Sequence, residues 1–201
     1  MPDILLTVSG TIPADIREQV AQGRRPRPDY LALADGLPAD LLDYSRMRAE
    51  GGWSTRLVEK LAGPNADLAW ECFRRRDRYR IIFTDGEQIG IPLAVFLKFL
   101  RLPFGSKNPK GIGKPSGSGR RPRHAMIVHI LSVRQKMIFF DLLGIQSAID
   151  RFLVYSTWQK EFIQSRWNIS PDRVAWIPFQ ADGLFFSPPA QPPSLAGKGG
   201  G

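Results

Sequence analysis

Ser9-Gly10-Thr11, Asp85-Gly86-Glu87, His129, Ser156-Thr157 and Asp182 are the residues of this chain best placed to do chemistry. Each group ends or follows a short apolar run: ILLTV (4–8), YRIIFT (79–84), HAMIV (124–128), FLVY (152–155) or VAWIPF (174–179). If those runs are parallel strands, the polar residues fall just beyond their carboxyl ends, where open α/β sheets bind ligands. Asp85 and Glu87 are suited to accept hydrogen bonds from hydroxyl groups, and His129 to donate or accept one. Ser156 and Thr157 open a helix whose first N–H groups favour an anion. Each group also has a plainer explanation. Gly10 and Asp85-Gly86 suit simple turns, a single His is commonly a hydrogen-bonded core residue, and Ser156 suits a helix cap. Their shared position along one sheet edge strengthens the functional reading of all of them.

The elements that must position these residues alternate along the chain. ILLTV is a continuous apolar run closed by Ser9-Gly10, as in a strand buried on both faces. DYLALA (29–34) is a second, weaker candidate strand. Helices are expected over 53–62, capped by Ser54 and stopped by Gly63-Pro64, and over 65–76, capped by Asn65. In the second, Leu68, Cys72, Trp70 and Phe73 face inward. Strands are expected at 79–84, 124–130, 152–156 and 174–179. Helices are expected at 91–102 with Pro92 in the first turn, at 132–144 with Ser132 as cap and Gly144 as stop, and at 157–167. This alternation predicts an α/β domain over residues 1–187 with a mostly parallel sheet covered on both faces. Residues 188–201 are dominated by Pro, Ser and Gly and read as a disordered tail.

Composition narrows the function. The formal charge is +9, from 28 basic and 19 acidic residues. Seven of the basic residues, and no acidic ones, lie between Arg101 and Arg123; 28 less those 7 leaves 21 against 19, a nearly neutral body. The run 103–123 is rich in Gly, Pro, Ser and Lys and reads as a flexible basic loop. It is suited to a solvated surface, or to contact with a membrane surface or phosphate. Phe104 is its only aromatic residue, so it lacks the interleaved rings that stack bases, and nucleic acid is disfavoured. One cysteine, Cys72, rules out an intrachain disulfide framework, and no signal peptide or spanning segment is evident. A cytoplasmic setting is expected, with peripheral membrane contact through Arg101–Arg123 as an option. No phosphate-binding G-x-x-x-x-G-K-[ST] or G-x-G-x-x-G sits between a strand and a helix. Two histidines and one cysteine give no convincing zinc site, and none is expected.

ILLTVSG, IIFTDGEQIGIPLAVFLKFL, MIVHILS, IDRFLVYSTWQKEFI and RVAWIPFQADGLFFSP together resemble the N-terminal half of family 4 glycosyltransferases of the GT-B fold. The likeness spans most of residues 4–188, and its most specific piece is the D-x-x-F-F-x-P that begins at Asp182. Where the family more often has Asn-Gly-Val before that Asp, this chain has Phe179-Gln180-Ala181. The resemblance implies a Rossmann-like three-layer sandwich that binds the acceptor, facing a separate donor-binding domain. It implies a retaining transfer from a nucleotide-diphosphate sugar to an acceptor hydroxyl, with no other cofactor. His129 would lie beside the transferred sugar; Gly10, Ser9 and Asp182 would serve the donor, and Asp85, Glu87, Ser156 and Thr157 the acceptor. By the same resemblance the chain ends at the interdomain hinge and is a poor catalyst alone. The alternative is a non-catalytic binding or assembly module that partners a separate donor-binding half.

Overall fold

The computed structural model describes residues 2–100, 121–179 and 182–186. Its strands are β1 (Ile4–Thr7), β2 (Ala39–Leu42), β3 (Ile81–Thr84), β4 (Arg123–Val128), β5 (Arg151–Val154) and β6 (Val174–Trp176). Its helices are α1 (Ile16–Ala21), α2 (Asp29–Gly36), α3 (Tyr44–Glu50), α4 (Trp53–Arg74), α5 (Glu87–Phe99), α6 (Arg134–Leu143), α7 (Thr157–Trp167) and α8 (Gly183–Phe186). The six strands form one parallel sheet in the order β2-β1-β3-β4-β5-β6. The fold is thus a Rossmann-like α/β sandwich, as the alternation of elements predicts.

Strand registry puts Leu5 beside Ile82, Met126 beside Phe152 and Phe152 beside Val174, all on one face. The helices pack two clusters against that face. One joins Leu5, Leu42, Leu68, Cys72, Phe73 and Ile82; the other joins Met126, Val128, Phe140, Phe152, Val154 and Ile163. Helix α5 serves both, giving Ile89 and Leu93 to the first and Ile91 and Ala94 to the second. It lies close to the sheet through Gly90, where an added Cβ would fall 2.6 Å from Met126 Cγ and 2.8 Å from Thr84 Oγ1. Gly90→Ala therefore forces two fully buried side chains apart. It should cost about 1–3 kcal/mol in a urea titration, the usual range for overpacking. On the opposite face α2 lies over the β1–β3 side, with Leu33 and Leu37 near Leu6 and Phe83.

Several elements depart from the sequence reading. Residues 29–34 are helix, not strand: Pro28 holds an extended φ/ψ, Asp29 occupies the first turn, and the Ala and Leu residues favour a helix. The second strand is the four-residue ADLL of β2, whose Asp40 accepts a hydrogen bond from the Tyr79 hydroxyl at 2.7 Å. The break expected at Gly63-Pro64 is present: α4 is two helical stretches that meet at a kink, where Gly63 has φ 82° and ψ 172°. Gly52, not Ser54, precedes its first turn, and Asn65 accepts from the Tyr44 hydroxyl instead of capping. Helix α5 begins at Glu87, so Pro92 lies in the second turn and leaves the Gln88 carbonyl without its helical partner. Val133, not Ser132, precedes α6, whose end at Gly144 has the expected left-handed φ of 57°. Strand β6 stops at Trp176.

The basic run is only partly visible. Residues 101–120 lie outside the described residues, as does the tail expected at 188–201. Arg121 is committed to the fold: its guanidinium donates to the Ala148 carbonyl at 2.7 Å and pairs with Asp150 at 3.1 Å. Arg123 opens β4.

His124, not His129, is the core histidine. It is fully buried on β4, its Nε2 lies 3.1 Å from Thr84 Oγ1, and its Nδ1 has no partner among the described residues. Burial, aided by the charge of Arg121, pulls its pKa down to about 3 from the ordinary 6.5. Because the folded value is depressed, the stability it supports is complete above pH 6.5 and is lost as pH falls towards 3. His124→Gln should remove that slope. Denaturation midpoints of variant and parent, compared between pH 7 and pH 4, should converge as the pH falls.

Candidate functional site

Strand β1 continues through α2 to β2 on one side, and the chain then crosses to β3 on the other. The carboxyl ends of β1 and β3 therefore flank a topological switch point, where connections diverge and leave a crevice. A cleft of about 210 Å³ opens there. Ser9, Asp29, Tyr30, Asp85, Gln88 and His129 give it polar groups, over a floor of Leu6, Leu33 and Ile127.

Asp85 holds the two strand ends together. Its carboxylate accepts from Thr7 Oγ1 at 2.8 Å, from the Ser9 N–H at 2.6 Å and from Ser9 Oγ at 2.7 Å. Its own N–H donates to Thr7 Oγ1 at 3.2 Å. Gln88, in the first turn of α5, donates to Ser9 Oγ at 3.1 Å. The Ser9 hydroxyl is thereby fixed as donor to Asp85 and acceptor from Gln88.

His129 stands on the exposed loop after β4, with its ring 5.6 Å from that of Tyr155. Its Nε2 lies 3.0 Å from the Asp85 carbonyl. A carbonyl only accepts, so Nε2 carries the proton, and a neutral ring keeps Nδ1 as an acceptor. Three residues hold this loop. Gln159 on α7 donates to the His129 carbonyl, and Glu87 accepts from the Ile130 N–H at 2.5 Å. Lys136 lies 3.5 Å from Glu87 and donates to the Ile130 carbonyl at 2.9 Å.

The expected site residues thus divide. Ser9, Asp85 and His129 come together in the cleft. Glu87 is 1% exposed and its carboxylate faces Ile130 and Lys136, so it positions the His129 loop and presents nothing to an acceptor. Gly10 adjoins Ser9. Its N–H donates to the Val8 carbonyl and its carbonyl accepts from the Tyr44 N–H, both at 2.9 Å, so its backbone polar groups are engaged. A Cβ on Gly10 would meet nothing within 4 Å, which leaves open space above the residue. Ser156 precedes α7 without a side-chain cap bond, and Thr157 is exposed; neither lines the cleft. Asp182 accepts from the Arg27 N–H at 2.8 Å and from the Phe185 N–H at 3.3 Å, tying α8 to the segment before α2.

Asp29, Tyr30 and Gln88 are the cleft residues that the sequence reading missed. The first two were hidden by reading 29–34 as a strand, because only a helix start at Asp29 sets them at the mouth of the crevice. Gln88 was hidden by starting α5 four residues late. Burial raises the Tyr30 hydroxyl above its ordinary pKa, so it serves as a neutral donor and acceptor. Among the described residues no cluster of His, Cys, Asp or Glu is arranged to hold a metal ion. No helix among them is long and apolar enough to cross a membrane.

No family model, curated protein or solved structure matches this chain.

Proposed function

We propose that this chain is the acceptor-side domain of a retaining glycosyltransferase of the GT-B type. It would work with a nucleotide-diphosphate sugar as co-substrate and a separate donor-binding domain as partner. The observation that carries the reading is the Ser9–Asp85–His129 arrangement at the β1/β3 switch point. Two carboxylates, two hydroxyls, an amide and an imidazole converge on a small apolar-floored cleft, a set suited to the alternating donors and acceptors of a sugar. At about 210 Å³ the cleft lies below the roughly 300 Å³ at which drug-sized sites begin. It fits a sugar ring rather than a whole nucleotide sugar, which suits a domain that shares its substrates with another.

In this scheme His129 hydrogen-bonds the transferred sugar through Nδ1, and Asp85 and Ser9 orient hydroxyls. Open space over Gly10 lets donor phosphates approach. Glu87 acts through the loop it holds. Binding both reactants in register supplies much of the rate of such transfers, so the chain without a donor-binding partner is a poor catalyst.

The test uses the native protein, purified from its source by a tag placed on the chromosomal copy of this chain. It is assayed with labelled nucleotide-diphosphate sugars. The expected result is glycosyl transfer with retained anomeric configuration, falling about a hundredfold or more in His129→Ala. No transfer from any donor, or transfer indifferent to His129, overturns the proposal.

A second reading rests on Phe179 and Phe186, which are 76% and 67% exposed beyond β6. Apolar rings left uncovered there suit a module that binds or assembles with a partner without catalysis. Partner assembly without sugar transfer would favour it.

A further inference from the structure

We propose that the first half of α4 is a membrane-surface helix that docks on an anionic lipid bilayer. The bend at Gly63 divides α4 into unlike halves. The second half buries Asp67, Leu68, Ala69, Glu71, Cys72 and Phe73, whereas the first buries Thr55 alone. A surface helix ordinarily turns its apolar side to the core and its charges to water. Here the order is reversed. Ser54 accepts from the Trp70 indole at 3.4 Å, Thr55 donates to Glu71 at 2.5 Å, and Glu59 pairs with Arg48 on α3 at 2.5 Å. Polar residues face the protein, while Trp53, Leu57 and Leu61 are 81%, 47% and 77% exposed.

Helical geometry, at 100° per residue, puts Arg56, Lys60, Trp53, Leu57 and Leu61 within one sector of about 140°. Arg56 and Lys60 are exposed and form no ion pair among the described residues. The acidic residue of this half, Glu59, is turned away to Arg48. The outward face is therefore apolar and cationic together. Trp favours the interface between lipid and water, and Lys and Arg stems lie along apolar surface while their charges reach headgroup phosphates. A protein partner would be served by the apolar residues alone; the two uncompensated cations select an anionic bilayer.

This inference does not depend on what the cleft binds. The whole chain is floated with vesicles of phosphatidylcholine alone, and of phosphatidylcholine with phosphatidylglycerol as about a third of the lipid. Binding to the anionic vesicles only, weakening with salt, is expected. Trp53→Ser with Leu61→Ser should weaken it at least tenfold. Arg56→Gln with Lys60→Gln should weaken it about thirtyfold at low ionic strength, from about 1 kcal/mol for each cation. All four residues are exposed, and an unchanged circular dichroism spectrum confirms that the variants fold. Absence of binding to anionic vesicles overturns the proposal. So does binding that survives both double substitutions, which would move the contact to another part of the chain. A self-associated chain that Trp53→Ser dissociates would also overturn it, making the face a contact between copies.

Discussion

Asp85→Ala will release the loop after β1 and empty the cleft of its organising charge. Three hydrogen bonds to one carboxylate disappear together, two from Ser9 and one from Thr7. Thr7 is fully buried; its hydroxyl oxygen still accepts from the backbone N–H at position 85, while its own proton loses its acceptor. The Ser9 groups are exposed and regain water. The loss in stability should therefore be about 1.5–3 kcal/mol, near that of a charge-assisted bond and short of the sum of three. The effect on ligand binding should be larger in relative terms, at least tenfold, because Ser9 and the backbone beneath His129 lose their shared anchor. Asp85→Asn separates the contributions. Its amide fits the same space but offers one acceptor oxygen where the carboxylate offers two. It should retain most of the stability while binding stays impaired. Urea titration and sugar titration of the same three proteins test this. Loss of stability with undiminished binding would show that Asp85 braces the sheet without serving the cleft.

Asp67→Asn should stabilise the protein above about pH 4, and most at neutral or higher pH. Asp67 is 0% exposed, and neither carboxyl oxygen has a hydrogen-bond partner among the described residues. Burial pushes its carboxyl up to about 7 from the ordinary 3.8; Glu59 and Glu71 add to the shift, against Arg48 and Arg74. The folded value is raised, so the chain carries no penalty below about pH 4 and loses stability as pH rises through about 7. The rise from 3.8 to about 7 sets a ceiling of about 4 kcal/mol on this penalty. Asn never ionises, so the variant should gain about 2–4 kcal/mol over the parent at pH 8 and match it near pH 4. His124 works in the opposite sense over part of this range, so the parent's own profile is flattened. The difference between variant and parent isolates Asp67. An equal difference at pH 4 and pH 8 would contradict the assignment.

The parallel sheet was readable because its strands are short apolar runs with turn residues at their ends, as in ILLTV followed by Ser9-Gly10. Strand β2 was not, because ADLL is too short and too polar to carry a period. Its place was taken by DYLALA, whose helical preference prevailed. The positions of Ser9, Asp85 and His129 followed from the rule that ligands gather at carboxyl strand ends. The direction of each side chain did not. Glu87 and Asp85 are two residues apart in sequence, yet one is buried against Ile130 and the other lines the cleft. That difference depends on α5 starting at Glu87, a boundary that Pro92 had obscured. The histidines show the same limit. Both stand on or just after β4, and only the sheet registry puts His124 in the core beside Thr84 and His129 outside it.

Everything proposed for the cleft requires that the crevice between β1 and β3 bind a sugar. The most direct measurement is a titration of the isotopically labelled chain with monosaccharides and short oligosaccharides, followed by amide chemical shifts. Saturable shifts at Ser9, Gly10, Asp85, Gly86 and His129 are expected with at least one sugar, and are lost in Asp85→Ala. Shifts confined to other surfaces, or none at the cleft with any sugar, would contradict it.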